Sequence, residues 1–149
     1  MWKFLLGVVT GIALTAVAAV AVVLIVYQST IRPQIAHASD ESRHNSTVST
    51  LQMLRSQIEL FKIQHQDTPP APGALAALLL GKSSSANVSG TDAAGTLGPY
   101  VQTFPANPEN DKSGVASAPS PNVGWVYTVS DNNFVIQAVN AAGTDVMPY

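Results

Sequence analysis

The chain lacks cysteine altogether, has little charge, and carries no carboxylate before Asp40. Without cysteine there is no disulfide, zinc ribbon, iron–sulfur cluster or thiol nucleophile. Charged residues make up 11% of the sequence, under half the ~25% usual for soluble domains. With 46% hydrophobic residues, that balance is the reverse of a disordered chain's. The net charge of −2 and the pI of about 5.8 exclude the basic footprint of a nucleic-acid binder. The motifs of common enzymes are missing as well: no phosphate-binding glycine loop, no His-Glu metalloprotease helix and no Gly-x-Ser-x-Gly elbow. Gly81-Lys82-Ser83 imitates the end of a phosphate loop, but no glycine stands five residues before it. The reading is of a protein that is not an enzyme and takes no small-molecule substrate. Its 149 residues suffice for one modest domain with an appendage.

What is present is unevenly spread. From Phe4 to Tyr27 no residue is charged over 24 positions. As a helix this run spans about 36 Å at ~1.5 Å per residue, enough to cross a hydrocarbon layer of ~30 Å. Lys3 and Arg32 flank it, and Trp2 and Tyr27 stand where interfacial aromatics belong. The reading is a single transmembrane helix in contact with lipid. Lys3 and the amino terminus lie on one side, and Arg32 and Arg43 on the other, so the positive-inside rule assigns no orientation. A secretory signal cleaved after Ala36-His37-Ala38 is the rival reading; its apolar stretch would be far longer than the ~7–15 residues usual for one. After residue 38 there are five basic and nine acidic residues, a net charge of −4.

Residues 28–66 contain no glycine and one proline, Pro33. Leu51, Leu54, Ile58, Phe61 and His65 recur at steps of three and four, which predicts an amphipathic helix over Thr47–Gln66. Val48 and Ile63 widen its apolar stripe, and Arg55, Glu59 and Lys62 fall on the other side. Pro69 and Pro70 end it. Pro33 removes the hydrogen bond to the Ser29 carbonyl and predicts a kink there. A short apolar helix follows over Ala74–Leu80, ending at Gly81. Lys82–Thr96 reads as a surface loop, Tyr100–Phe104 as a short strand, and Pro105–Gly124 as a long loop. Trp125–Val129 and Phe134–Val139 form a β-hairpin around Ser130-Asp131-Asn132-Asn133, because Asp and Asn tolerate positive φ. A lone hairpin is marginal in water, and the amphipathic stripe is its natural partner. The fold class is α+β: a long N-terminal helix, transmembrane then amphipathic, packed on a small antiparallel sheet. Residues 1–38 form the membrane segment and 39–149 the head, with the amphipathic helix over 39–67, loops and the short helix 74–81 over 68–124, and the hairpin over 125–139. Its expected core is Leu51, Leu54, Ile58, Phe61, Trp125, Tyr127, Phe134 and Ile136.

The histidines, His37, His44 and His65, share one side of a helix. A spacing of seven residues is about 10.5 Å along it, too far for one metal. They are expected on a solvated surface, with His65 placed to cap the core stripe near the helix C-terminus. Asn107, Glu109, Asn110 and Asp111 form an oxygen-rich cluster in a loop, a candidate for calcium, which takes six to eight oxygens.

In that order, several pieces resemble the type IV pilin superfamily, most closely the major pseudopilin of type II secretion. They are the helix Thr47–His65 with its Phe61-Lys62-Ile63 triplet before Pro69, and the Leu75–Leu80 helix. Beyond these come Gly98-Pro99-Tyr100-Val101, Phe104-Pro105-Ala106-Asn107-Pro108 and Gly124-Trp125-Val126-Tyr127. Pro33 matches the family's helix-kinking proline. The resemblance implies processing between Gly11 and Ile12, assembly into a filament with copies of itself or other pseudopilins, and a calcium site in the C-terminal region. It places the protein in the cytoplasmic membrane with its head on the extracytoplasmic side. Where family members carry a glutamate at the fifth mature position, this chain has Ala16. An alternative that follows is a single-pass, membrane-anchored, pilin-like domain that binds partners without polymerising.

Overall fold

A computed structural model describes residues 20, 22–25 and 32–148. The chain divides into two units, Met1–Ser42 and Arg43–Tyr149. In the first unit, Val20 and residues 22–25 are helical, with exposed side chains. Most of the apolar run, and the expected processing point at Gly11 and Ile12, lie outside the described residues. Among the described residues no helix is long and apolar enough to cross a membrane.

Helix α1 spans Arg32–Gln64, beginning before and ending short of the 39–67 expected for the amphipathic helix. Pro33 is its second described residue, and the expected kink toward Ser29 lies outside the described residues. The helix closes by a left-handed turn. Gln66 and Asp67 adopt φ of 58° and 61°, and the Asp67 N–H donates to the Lys62 carbonyl at 3.0 Å. This six-to-one bond satisfies a carbonyl that the helix end would otherwise leave open. Pro69 and Pro70, both buried, then turn the chain away. Helix α2 follows at Leu75–Leu80 and stops at Gly81, whose N–H still reaches the Ala77 carbonyl.

The sheet has three strands in the order β1-β2-β3: β1 is Gly114–Ala116, β2 is Val123–Ser130 and β3 is Asn133–Ala138. The hairpin β2–β3 is antiparallel, with Ser130 opposite Asn133. Its two-residue turn, Asp131-Asn132, has φ of 49° and 62°, the double positive φ that a type I′ hairpin turn requires. Strand β1 corrects the expected antiparallel sheet: it runs parallel to β2, so the sheet is mixed. A parallel connection normally needs a dozen residues. Here residues 117–122 suffice, because β1 is only three residues long and six extended residues reach about 20 Å. The expected strand at Tyr100–Phe104 is absent. The N–H groups of Tyr100 and Val101 both donate to the Leu79 carbonyl, holding this stretch to the end of α2 rather than to a strand.

The main core joins helix and sheet within the second unit. Leu51, Leu54, Ile58 and Phe61 of α1 are fully buried, as are Trp125, Tyr127 and Ile136. Phe134 sits at the rim, partly buried against this cluster, because it lies next to the turn. Ile63 does not widen the stripe: it is 75% exposed, on the helix face away from the core. Leu75, Leu78 and Leu79 bring α2 into the same cluster. Val123, Val126 and Val139 form a second, smaller cluster, closed by Ala116 and Val146. The last residues supply that cover: Val146 pairs with Val139, and the Met147 N–H donates to the Ala138 carbonyl.

Candidate functional site

Three polar anchors, each set into apolar packing, tie together the elements of the second unit. The first is at the end of α1. His65 is 1% exposed and Ser83 fully buried. The His65 ring stacks on Phe61, with centroids 3.6 Å apart and planes 3° from parallel. Its Nδ1 lies 2.8 Å from the Phe61 carbonyl. A carbonyl only accepts, so Nδ1 carries the proton. In the neutral ring Nε2 therefore accepts from the Ser83 hydroxyl at 2.9 Å. Ser83 in turn exchanges both backbone bonds with Leu97. The Lys82–Thr96 loop is thus pinned at its base to the end of the helix. The solvated surface expected for the histidines holds for His44, which is exposed. His65 instead caps the core stripe, as its spacing after Phe61 predicts, and its ring reaches Ser83.

The second anchor is Asn107, fully buried. Its Nδ2 donates to the carbonyls of Gly124 and Val139, at 2.9 and 2.7 Å, and its Oδ1 accepts the Glu109 N–H at 3.0 Å. Asn110 repeats the pattern: Nδ2 donates to the Val123 carbonyl at 2.9 Å, and Oδ1 accepts the Lys112 N–H at 3.1 Å. The backbone of Gly124 passes so close to the Lys112 carbonyl that a Cβ there would overlap it, which explains the glycine. The structure therefore brings Asn107, Glu109, Asn110 and Asp111 into one turn, but both amides are committed to the main chain. Of the four side chains only the carboxylates of Glu109 and Asp111 stay uncommitted, two groups against the six to eight oxygens calcium takes. Among the described residues no group of three or more His, Asp or Glu side chains is arranged to hold a metal ion. This donor set does not fit calcium; it ties a loop to the sheet.

The third anchor binds the hairpin. The Tyr127 hydroxyl donates to the Pro70 carbonyl at 2.9 Å, the Trp125 indole N–H to the Pro105 carbonyl at 2.9 Å, and Arg55 Nη2 to the Ile136 carbonyl at 3.2 Å. Burial pushes the Tyr127 phenol well above its usual pKa. The Tyr100 phenol is raised by the same cause, and its hydroxyl donates to Gln64 Oε1 at 2.7 Å.

Sequence reasoning placed His65 on the core stripe but missed its partner Ser83, and it missed Asn107 as a buried polar anchor. Their partners lie 18 residues away for the His65–Ser83 pair and 17 and 32 for Asn107, so no local spacing announces them. Leu75, Leu78 and Leu79 did carry a local signal, the three-and-four spacing of a helix face. No protein-family model matches the chain, and neither a curated protein nor a solved structure matches it.

Proposed function

We propose that the chain is a structural subunit of a pilus- or pseudopilus-like filament, of the type II secretion or type IV pilus kind. It is anchored in the cytoplasmic membrane before assembly, with its head on the extracytoplasmic side. Apolar N-terminal helices pack in the filament interior and the heads form its shell. The partners are lipid, further copies of the chain and other pseudopilins.

One observation carries this reading: an apolar helical segment with solvent-exposed side chains precedes an amphipathic helix that shares its core with a small sheet. Val20, Val22, Val23, Leu24 and Ile25 are 55–66% exposed. Four consecutive residues of a helix point in all directions, so this segment has no face suited to water and calls for lipid or other helices. The buried stripe Leu51, Leu54, Ile58 and Phe61 against Trp125, Tyr127 and Ile136 supports the pilin-like head. Anchoring without polymerisation is the second reading, favoured by Ala16 at the position of the family's assembly glutamate.

The test is the intact mass of the chain isolated from its native membrane, together with electron microscopy of sheared cell surfaces. A chain starting at Ile12, with filaments, supports the subunit. A chain starting at Met1, without filaments, supports the anchored domain. A chain starting at Ser39 overturns both. Within the subunit reading, Val17→Glu places a carboxylate near the middle of the apolar run, at ~2.5–3.5 kcal/mol of insertion, and should abolish membrane localisation or filaments.

A further inference from the structure

The corner between α1 and the free edge of β3 is a cleft of about 330 Å³ lined by Arg55, Glu59, Phe134, Val135 and Ile136. Its chemistry follows from the hairpin register. Ser130 faces Asn133 across a two-residue turn, and the Val139 N–H donates to the Gly124 carbonyl. Residues 133, 135, 137 and 139 therefore bond to β2, and 134, 136 and 138 turn their N–H and C=O groups outward. The Ile136 carbonyl is taken by Arg55 and the Ala138 carbonyl by Met147. Among the described residues nothing takes the outward N–H and C=O of Phe134. Val135 beside it is 53% exposed. Arg55 and Glu59 stand one helical turn apart, yet no ion pair joins them among the described residues. The cleft thus offers a backbone donor and acceptor, an apolar side chain, one cation and one anion.

We infer that this cleft receives the β1 edge of a second copy of the chain, joining two sheets head to tail. The inference rests on the filament reading. The sheet order β1-β2-β3 leaves β1 as the opposite edge. Its three uncharged residues, Gly114–Ala116, are half-buried and match Phe134–Ile136 in length. Ahead of β1, separated from it by Ser113, stand Asp111 and Lys112, both exposed, one anion and one cation to meet Arg55 and Glu59. Unpaired strand edges are ready templates for another strand. Joining two different edges makes a heterologous contact, which does not close as a two-fold dimer and runs on as an open filament where its rotation does not close a ring.

The native chain has no cysteine, which makes cross-linking unambiguous. In the full-length protein in its membrane, Glu59→Cys with Lys112→Cys is treated with a short bis-maleimide. Both positions are exposed, so the variants keep the fold. The expected result is a ladder of covalent oligomers from the double variant and none from either single variant. Charge exchange is the second measurement. Glu59→Lys and Lys112→Glu should each lower filament yield by about two- to fivefold, the size of an exposed ion pair, and the two together should restore it. Filaments without a 59–112 link overturn this docking and leave the filament reading standing. Dimers from Glu59→Cys alone overturn it in favour of a symmetric contact. An absence of filaments by microscopy overturns the filament reading, and the docking with it.

Discussion

His65 Nε2 and Ser83 Oγ meet at 2.9 Å with both residues buried, and this bond joins the residue that follows α1 to the loop that follows α2. Ser83→Ala removes the hydroxyl and leaves a buried ring nitrogen without a partner. The expected loss is about 1–3 kcal/mol, the cost of an unsatisfied buried polar group. Urea denaturation of the purified protein measures it, and an unchanged midpoint would show that the bond contributes nothing.

Asn107 supplies two N–H bonds that a carboxylate cannot. Asn107→Asp places an acceptor against the carbonyls of Gly124 and Val139, so the folded protein favours the protonated acid. The folded-state pKa then lies above the unfolded value of ~3.9. Relative to the native chain, the variant is least destabilised below that value and loses further stability as pH rises through the folded pKa. Thermal melts of both proteins between about pH 3 and 7 test the sign; a difference that stays flat or shrinks with rising pH would contradict it.

Tyr127 carries the opposite experiment, at the alkaline end. Its buried hydroxyl donates to the Pro70 carbonyl, and burial raises its pKa. Its contribution is fully present below the unfolded value of ~10 and is lost as pH rises from there toward the folded pKa. Tyr127→Phe should lower stability at neutral pH by about 0.5–1.5 kcal/mol, and stability should then fall less steeply above about pH 10. Chemical denaturation across that range gives both numbers. Parallel slopes for the two proteins would mean that another group governs the alkaline loss.

The turn Asp131-Asn132 holds two non-glycine residues at positive φ. Asn132→Gly relieves the second and matches the sequence preference of a type I′ turn. The expected gain is about 0.5–1 kcal/mol, offset in part by the greater freedom of glycine in the unfolded chain. A rise in the denaturation midpoint with an unchanged slope is the signature.

The elements readable from sequence are those whose signal is local. Leu51, Leu54, Ile58 and Phe61 mark a helix face by their spacing alone. Asp131 and Asn132 mark a hairpin turn because their side chains tolerate positive φ. Trp125 and Tyr127 alternate as one face of a strand must. The start of α1 was legible only in part, since residues 32–46 have no apolar stripe to announce a helix.

The α+β class, the core face of α1 and the hairpin are written in the order of residues, because periodicity and turn chemistry act between near neighbours. Tertiary structure alone decided the parallel strand β1, the burial of His65 on Ser83, and the use of Asn107 as a bracket rather than a ligand. Each of these depends on groups far apart in the chain. Gly114–Ala116 has no strand pattern of its own and becomes a strand only where β2 offers a pairing edge. His65 and Asn107 are polar residues that enter the interior only because folding brings Ser83 to one and the Gly124 and Val139 carbonyls to the other, replacing the hydrogen bonds each loses with water.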